Sequence, residues 1–212
     1  MNPILPPAPA YIITGTDTDV GKTTAAMELL RISGKRYWKP LQSGTDSQGR
    51  TDTDIVRIAT GLPAEHFLPE SYCFMSSLSP HRAAELDGVT IDPQKILNDY
   101  QRHIDNISSN ASGLLIEGAG GLMVPITRDL LQIDLFTQMQ AITVAPIILV
   151  ARTTLGTINH TLLSLEAIRA RRLPLAGILF CGLTNDENIQ TILDFSRRST
   201  LTENLGHITF PH

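Results

Sequence analysis

Two kinds of hydrophobic pattern alternate along the chain. Tyr11 to Thr14, Pro146 to Ala151 and Ala176 to Phe180 are short, nearly continuous apolar runs, as expected of strands covered on both faces. Lys22 to Ile32 and Thr157 to Arg171 carry apolar residues at helical spacing. Between them, Arg36 to Lys39 reads as a second short strand, stopped by Pro40. Thr51 opens a helix over Asp52 to Thr60, and residues 61–80, with Pro63, Pro69 and Pro80, read as irregular. Ser79-Pro80 and Asp92-Pro93 each resemble an N-cap followed by proline in the first helical turn. They start helices expected to reach Leu86 and about Ile107. Leu114 to Glu117 is a strand entering a glycine-rich turn, Gly118 to Gly121; Gln132 to Gln140 and Asp186 to Arg198 are helices, and Ile208 to Phe210 is a possible last strand. This alternation predicts one α/β domain, a mainly parallel sheet between two helix layers.

Composition narrows the class. The 212 residues are 42% hydrophobic and 18% charged, enough apolar material for a core and too little charge for a disordered chain. A net charge of −4 argues against a general electrostatic grip on nucleic acid or on an anionic membrane. Two cysteines, Cys73 and Cys181, cannot build a disulfide framework or a four-cysteine zinc site, and they fit a reducing cytoplasm. No apolar run is long enough for a bilayer. The opening MNPILPPAPA lacks a basic region and reads as an extended, proline-rich arm over residues 1–10.

The strongest chemical signal is GTDTDVGKTT, Gly15 to Thr24, between an expected strand and an expected helix. In that context backbone N–H groups and the helix N-terminus can cradle phosphates, Gly21 permits close approach, Lys22 can reach the terminal phosphates and Thr23 suits Mg²⁺. The strict pattern wants glycine at position 16, where this chain has Thr16; its glycine is one place earlier, at Gly15. A Mg²⁺–nucleotide site needs carboxylates as well. Glu117 ends an apolar strand at the edge where open α/β sheets bind ligands. Asp54 and Asp52, at the start of one helix, compete for the second carboxylate role. Lys39, at another strand end, could neutralise charge developing between substrate and phosphate, and Ser43 follows it on the loop. Asn159 and His160 open the helix after the Pro146 to Ala151 strand, where a helix N-terminus favours a carboxylate. His81 and His160 read as a capping and a packing histidine, and no Ser/His/Asp triad is evident.

Four separated motifs, GTDTDVGKT, KPLQSG, EGAGG and LGTINHT, together resemble the dethiobiotin synthetase family over about Ile12 to Gly177. The resemblance implies a P-loop NTPase fold and a single ATP-dependent ligase domain. It implies conversion of 7,8-diaminononanoate, CO₂ (or bicarbonate) and ATP to dethiobiotin, ADP and phosphate, through a carbamate and a carbamic–phosphoric anhydride. Carried over by position, Asp19, Val20, Gly21, Lys22, Thr23 and Thr24, with Gly118, Ala119 and Gly120, bind nucleotide. Thr23, Asp54 and Glu117 hold Mg²⁺; Lys39, Lys22 and Thr18 are catalytic. Ser43, Gly156, Thr157 and Asn159 contact substrate, the last three from the second subunit of a homodimer. The chain departs from the family where some relatives read the nucleotide base with Asn-Asp. Cys181 and Gly182 stand there, with Asn185-Asp186 slightly later, and a base-contacting loop after LGHITFP is not matched, so modest base discrimination is expected. Two other classes share the loop. A dimeric switch ATPase or GTPase of the partitioning or metal-delivery type would carry a lysine where Thr16 stands. An amidase-type ligase would need a glutaminase domain.

Overall fold

The structure, a computed structural model, describes residue 5 and residues 7–107, 113–197 and 204–208. Strands and helices alternate as the pattern predicts. They are β1 (Ala10–Gly15), α1 (Lys22–Ser33), β2 (Arg36–Trp38), β3 (Leu41–Ser43), α2 (Asp52–Thr60), β4 (Phe67–Leu68), β5 (Tyr72–Phe74), α3 (Pro80–Leu86), α4 (Pro93–Asp105), β6 (Leu114–Gly121), α5 (Gln132–Gln140), β7 (Ile147–Arg152), α6 (Thr157–Ala170), β8 (Leu175–Cys181), α7 (Asp186–Arg197) and β9 (Asn204–Ile208).

Seven strands form one parallel sheet in the order β4-β2-β6-β1-β7-β8-β9. Alternate residues of each central strand enter opposite cores, because side chains alternate across a strand. Ala10 and Ile12 of β1, Leu114 and Ile116 of β6, and Ile147 and Leu149 of β7 join the side covered by α3 to α7. Tyr11, Ile13, Leu115, Ile148 and Val150 face the side covered by α1 and α2. These residues are almost all fully buried, which is why the strands are apolar throughout rather than alternating.

The strand order reverses direction at β1 and β6. The chain leaves β1 toward β2 on one side and leaves β6 toward β7 on the other. Such a reversal opens a crevice at the carboxyl ends of the two strands. The Gly15 to Gly21 loop and Glu117 both lie there.

The main departure lies in residues 61–80. Ala64–His66 form a single 3₁₀ turn, β4 adds to the sheet edge, and β3 pairs in parallel with β5 as a separate two-stranded ribbon. Strands of two or three residues are too short to show a period, so the sequence reads there as loop. The last described strand runs to Ile208; the Phe210 end of the expected strand, Arg198 and half of the proline-rich arm lie outside the described residues. Among the described residues no helix is long and apolar enough to cross a membrane.

Trp38, the only tryptophan, packs on the α4 side of β2, on the face opposite Tyr37. It stacks on Tyr100 of α4 at 6.2 Å and takes the edge of His103 at 5.0 Å. Burial holds the His103 imidazole below its ordinary value, partly opposed by Asp99. A base with a depressed folded pKa contributes stability that is complete above its unfolded value of 6.5 and is lost as pH falls through the folded value. Thermal stability is therefore expected to fall as pH drops from 7 toward 5, followed through Trp38 fluorescence. His103→Gln should remove that component of the pH dependence, and an unchanged profile in the variant would rule out His103 as its source.

Candidate active site

The turn from β1 into α1 is shaped by contacts that only small residues permit. A Cβ on Gly15 would lie 2.6 Å from Val20 Cγ2 and 2.7 Å from the Asp17 carbonyl oxygen. The loop folds back over Gly15, which explains a glycine there rather than at position 16. Gly21 takes φ +98° and Asp19 φ +55°, left-handed conformations that turn the chain into the helix. Val20 is buried beneath the loop and anchors it to the α1 side of the core.

The loop borders a cleft of about 950 Å³. Thr18, Asp19, Gly21, Lys22, Thr23 and Thr24 form one wall. Lys39, Ser43 and Asp52 form the floor and one side. Ala119, Gly120 and the Ser77 to Pro80 segment complete it.

Glu117 lies at the centre, with no solvent exposure. Its Oε1 accepts from Thr23 Oγ1 and from Lys39 Nζ, each at 3.0 Å, and its Oε2 accepts from the Tyr37 hydroxyl at 3.0 Å. Lys39 also donates to Asp52 Oδ2. Burial alone would pull the Lys39 ammonium below its ordinary value, but attraction to Glu117 and Asp52 outweighs that and leaves it raised. Burial pushes the Tyr37 phenol well above its ordinary value, and the Glu117 charge adds to that. Both groups are thus protonated donors at neutral pH. Lys22 is also buried, and its ammonium donates to the Asp17 carbonyl at 3.1 Å. Burial lowers its pKa, and the Lys39 charge adds to that while Glu117 opposes it. Two lysines thus converge on one cleft.

Several expected residues stand elsewhere. Asp54, expected at the metal, turns away from the cleft. It closes a capping box with Thr51, pairs with Arg57 at 2.9 Å, and is held below the usual carboxylate value mainly by the Thr51 N–H. Asp52, one turn-face earlier, occupies the cleft in its stead. Gly118 does not line the cleft; a Cβ there would lie 2.8 Å from Phe136 Cζ, so its role is close packing of β6 on α5. The Ala119 N–H is engaged by Gln132 Oε1 at 2.6 Å. Gly156, Thr157 and Asn159, at the start of α6, do not border the cleft of their own chain. The Thr157 hydroxyl is turned inward and donates to the Arg152 carbonyl, whereas Asn159 is exposed.

Sequence reading passed over three residues. Tyr37 supports Glu117. Gln132 braces the glycine-rich turn through Ala119 and through Gly121 O at 2.9 Å. Gln42 bridges Gly44 O at 2.7 Å and the Asp52 N–H at 3.3 Å. Each is a polar residue buried in an apolar neighbourhood, and that contrast is the signal that could have found them.

The donor set suits a hard cation. Thr23 offers a hydroxyl, and Glu117 and Asp52 offer carboxylate oxygens, the ligand type Mg²⁺ prefers. Among the described residues no group of three or more His, Cys, Asp or Glu side chains forms a self-sufficient metal cage. Two carboxylates beside a phosphate loop match an ion that takes its other ligands from phosphate and water.

A parallel sheet whose first strand feeds a phosphate-cradling loop, faced by a buried lysine–carboxylate pair, defines a P-loop nucleotide-binding protein. The comparisons agree. A family model described as an AAA domain matches residues 9–209. Two solved structures share the fold. A plasmid partition-type protein of Borrelia burgdorferi B31 bound to AMPPNP aligns with TM-score 0.54 at 12% identity, covering 96% of this chain and 86% of that one. A ParA family ATPase from Chlorobium tepidum TLS aligns with TM-score 0.52 at 11% identity, covering 95% and 84%. Among relatives by sequence, an ATP-dependent dethiobiotin synthetase of Rhodopseudomonas palustris (strain BisA53) is 44% identical over 95% of this chain and 89% of its own length. That of Sphingopyxis alaskensis is 41% identical over 88% and 82%. The chain belongs to the ATP-dependent dethiobiotin synthetase family.

A methyl group at position 15 tests the loop geometry. Relieving such overlap costs about 1–3 kcal/mol, equivalent to about 5–150-fold in affinity where the loop must adopt this shape to bind. Gly15→Ala is expected to weaken binding of a non-hydrolysable ATP analogue by that much, with circular dichroism unchanged. Wild-type affinity would show that the loop does not need this contact.

Proposed function

We propose that this protein carboxylates 7,8-diaminononanoate and closes the ureido ring of dethiobiotin at the expense of ATP. The observation that carries the reading is Lys39. It is a buried ammonium between Glu117 and Asp52, at the mouth of a phosphate loop. The chemistry runs in three steps. One substrate amine adds to CO₂, forming the N–C bond and releasing a proton. A carbamate oxygen then attacks the γ-phosphorus of ATP and the bond to ADP breaks. The second amine attacks the carbonyl carbon of the resulting anhydride, a proton leaves, and inorganic phosphate departs as the ring closes.

The chain's groups suit each step through position and charge rather than covalent catalysis, as phosphoryl transfer requires. Lys22 and the loop amides bind the β- and γ-phosphates. Lys39 stands where charge builds on the carbamate and on the transferring phosphoryl group. Thr18 lies on the loop facing that point, and Ser43, whose Oγ has no hydrogen-bond partner among the described residues, can donate to the substrate. Thr23, Asp52 and Glu117 would hold Mg²⁺, which supplies charge neutralisation at the phosphates.

The start of α6 is assigned to the substrate carboxylate of a second subunit. Leu155 is 97% exposed and Leu163 61%, a surface that a second copy of the chain would cover. With the Thr157 hydroxyl engaged, the backbone amides and Asn159 are left to bind the carboxylate. At the base end, Asn185 caps α7, accepting from the Asn188 N–H at 3.0 Å. It is thereby occupied locally, and base selectivity is expected to be modest.

Three outcomes test the reading. Mass spectrometry should detect dethiobiotin only when Mg²⁺-ATP, bicarbonate and 7,8-diaminononanoate are all present. Nucleotide hydrolysis independent of the diamine would favour the switch ATPase instead. Lys39→Ala should lower the thermal midpoint, because Glu117 loses a buried partner, and in protein still folded by circular dichroism should lower kcat by about 10²–10³-fold, the usual cost of losing a charge-stabilising donor; wild-type turnover would refute its role. Finally, kcat/KM for ATP, CTP and GTP should differ by less than ~100-fold, and a larger preference for ATP would place a base reader elsewhere in the chain.

A further inference from the structure

One of the contacts to Glu117 comes from a residue outside the cleft, Tyr37. Glu117 is a strand residue of β6, flanked by β2 and β1. Tyr37 stands opposite Leu115 in the β2–β6 register, two residues before Glu117, so Tyr37 and Glu117 project from the same face of the sheet. On that face the neighbours are apolar: Ile13, Leu115, Val20 and Ala26. The carboxylate therefore has two unlike sides. Oε1 faces the cleft and accepts from Thr23 and Lys39. Oε2 accepts from the Tyr37 hydroxyl at 3.0 Å.

We propose that Tyr37 is a positioning residue for the metal–nucleotide site. Its hydroxyl fixes the Glu117 carboxylate plane so that Oε1 is presented to Thr23, to Lys39 and to the divalent cation. The argument rests on geometry. A carboxylate with one oxygen bonded can still turn about its terminal torsion, which is broad and weakly restrained. Engaging both oxygens from opposite sides removes that freedom. The Tyr37 ring is itself clamped, fully buried and packed 6.3 Å from Phe67 of β4. Its hydroxyl position is therefore set by the sheet edge. Partners that orient a metal-binding carboxylate in this way typically account for about 10–100-fold in metal affinity.

The proposal rests on the assignment of Glu117 to the cation, and the test separates the two. Binding of ADP and of a non-hydrolysable ATP analogue is measured by calorimetry, with Mg²⁺ and with chelator, for wild type, Tyr37→Phe and Glu117→Gln. Phenylalanine keeps the ring and removes only the hydroxyl. The expected result is that Tyr37→Phe loses about tenfold or more of the Mg²⁺-dependent gain in affinity, while its chelator affinity equals that of wild type. Glu117→Gln should lose the gain as well. A full Mg²⁺ gain in Tyr37→Phe beside a lost gain in Glu117→Gln overturns the role of Tyr37 and leaves Glu117 at the metal. A full gain in both variants overturns both assignments. Equal losses with and without Mg²⁺ in Tyr37→Phe would show a purely structural residue and also overturn the proposal.

Discussion

A single carboxylate with no access to water organises this protein. An unpaired ion at the position of Glu117 would cost several kcal/mol, and losing one member of a buried pair typically costs about 3–5 kcal/mol. The chain meets that demand with donors from separate elements: Tyr37 on β2, Lys39 just beyond it, and Thr23 on α1. Lys39 in turn ties Asp52 at the start of α2. One charge thus links two sheet strands to both helices of one layer. The same links place a hydroxyl, an ammonium and two carboxylates around the point where a phosphate loop opens. Stability and chemistry here draw on the same contacts.

The two lysines have different surroundings. Lys39 pairs with two carboxylates, while Lys22 donates to the Asp17 backbone carbonyl. Burial and the nearby Lys39 charge both weigh against the Lys22 ammonium. A bound phosphate would relieve that strain by bringing negative charge to Lys22 without disturbing the Lys39 pair. Glu117, Asp52 and Asp19 act in the opposite sense, so the Lys22 ammonium is held between desolvation and nearby carboxylates. Preorganised donors of this kind act strongly because little rearrangement is needed when charge develops.

Most of the architecture is legible in the sequence because it rests on local, repeated signals. Continuous apolar runs mark the central strands, and proline after a capping residue marks α3 and α4. The exceptions share a cause, since they depend on which of two neighbouring residues turns inward. Asp52 and Asp54 lie on one helical turn, and a capping box takes the second. Gly118 and Gly120 lie in one glycine run, yet the first packs against Phe136 and the second borders the cleft. Thr157 lies at an exposed helix start, but its hydroxyl finds a carbonyl first. Spacing places such residues near a site; long-range packing decides which of them faces it. Tyr37 was hidden for the same reason, because its partner is 80 residues away.

The two ends of the reaction space are built differently. The phosphate end is complete within one chain, with loop, lysines and carboxylates cross-linked through buried contacts. The ends that would choose a diamine and a base are not built that way. Leu155 and Asn159 project into solvent beside α6, and Asn185 is engaged by its own helix. A fold that fixes the charged chemistry internally can leave selectivity to surfaces completed by a second subunit. On the proposed function, changes at the α6 start are expected to alter which substrate is taken, whereas changes around Glu117 are expected to remove the reaction itself. The difference follows from burial: charges must be paired where water is excluded, as around Glu117, whereas Leu155 and Asn159 are exposed.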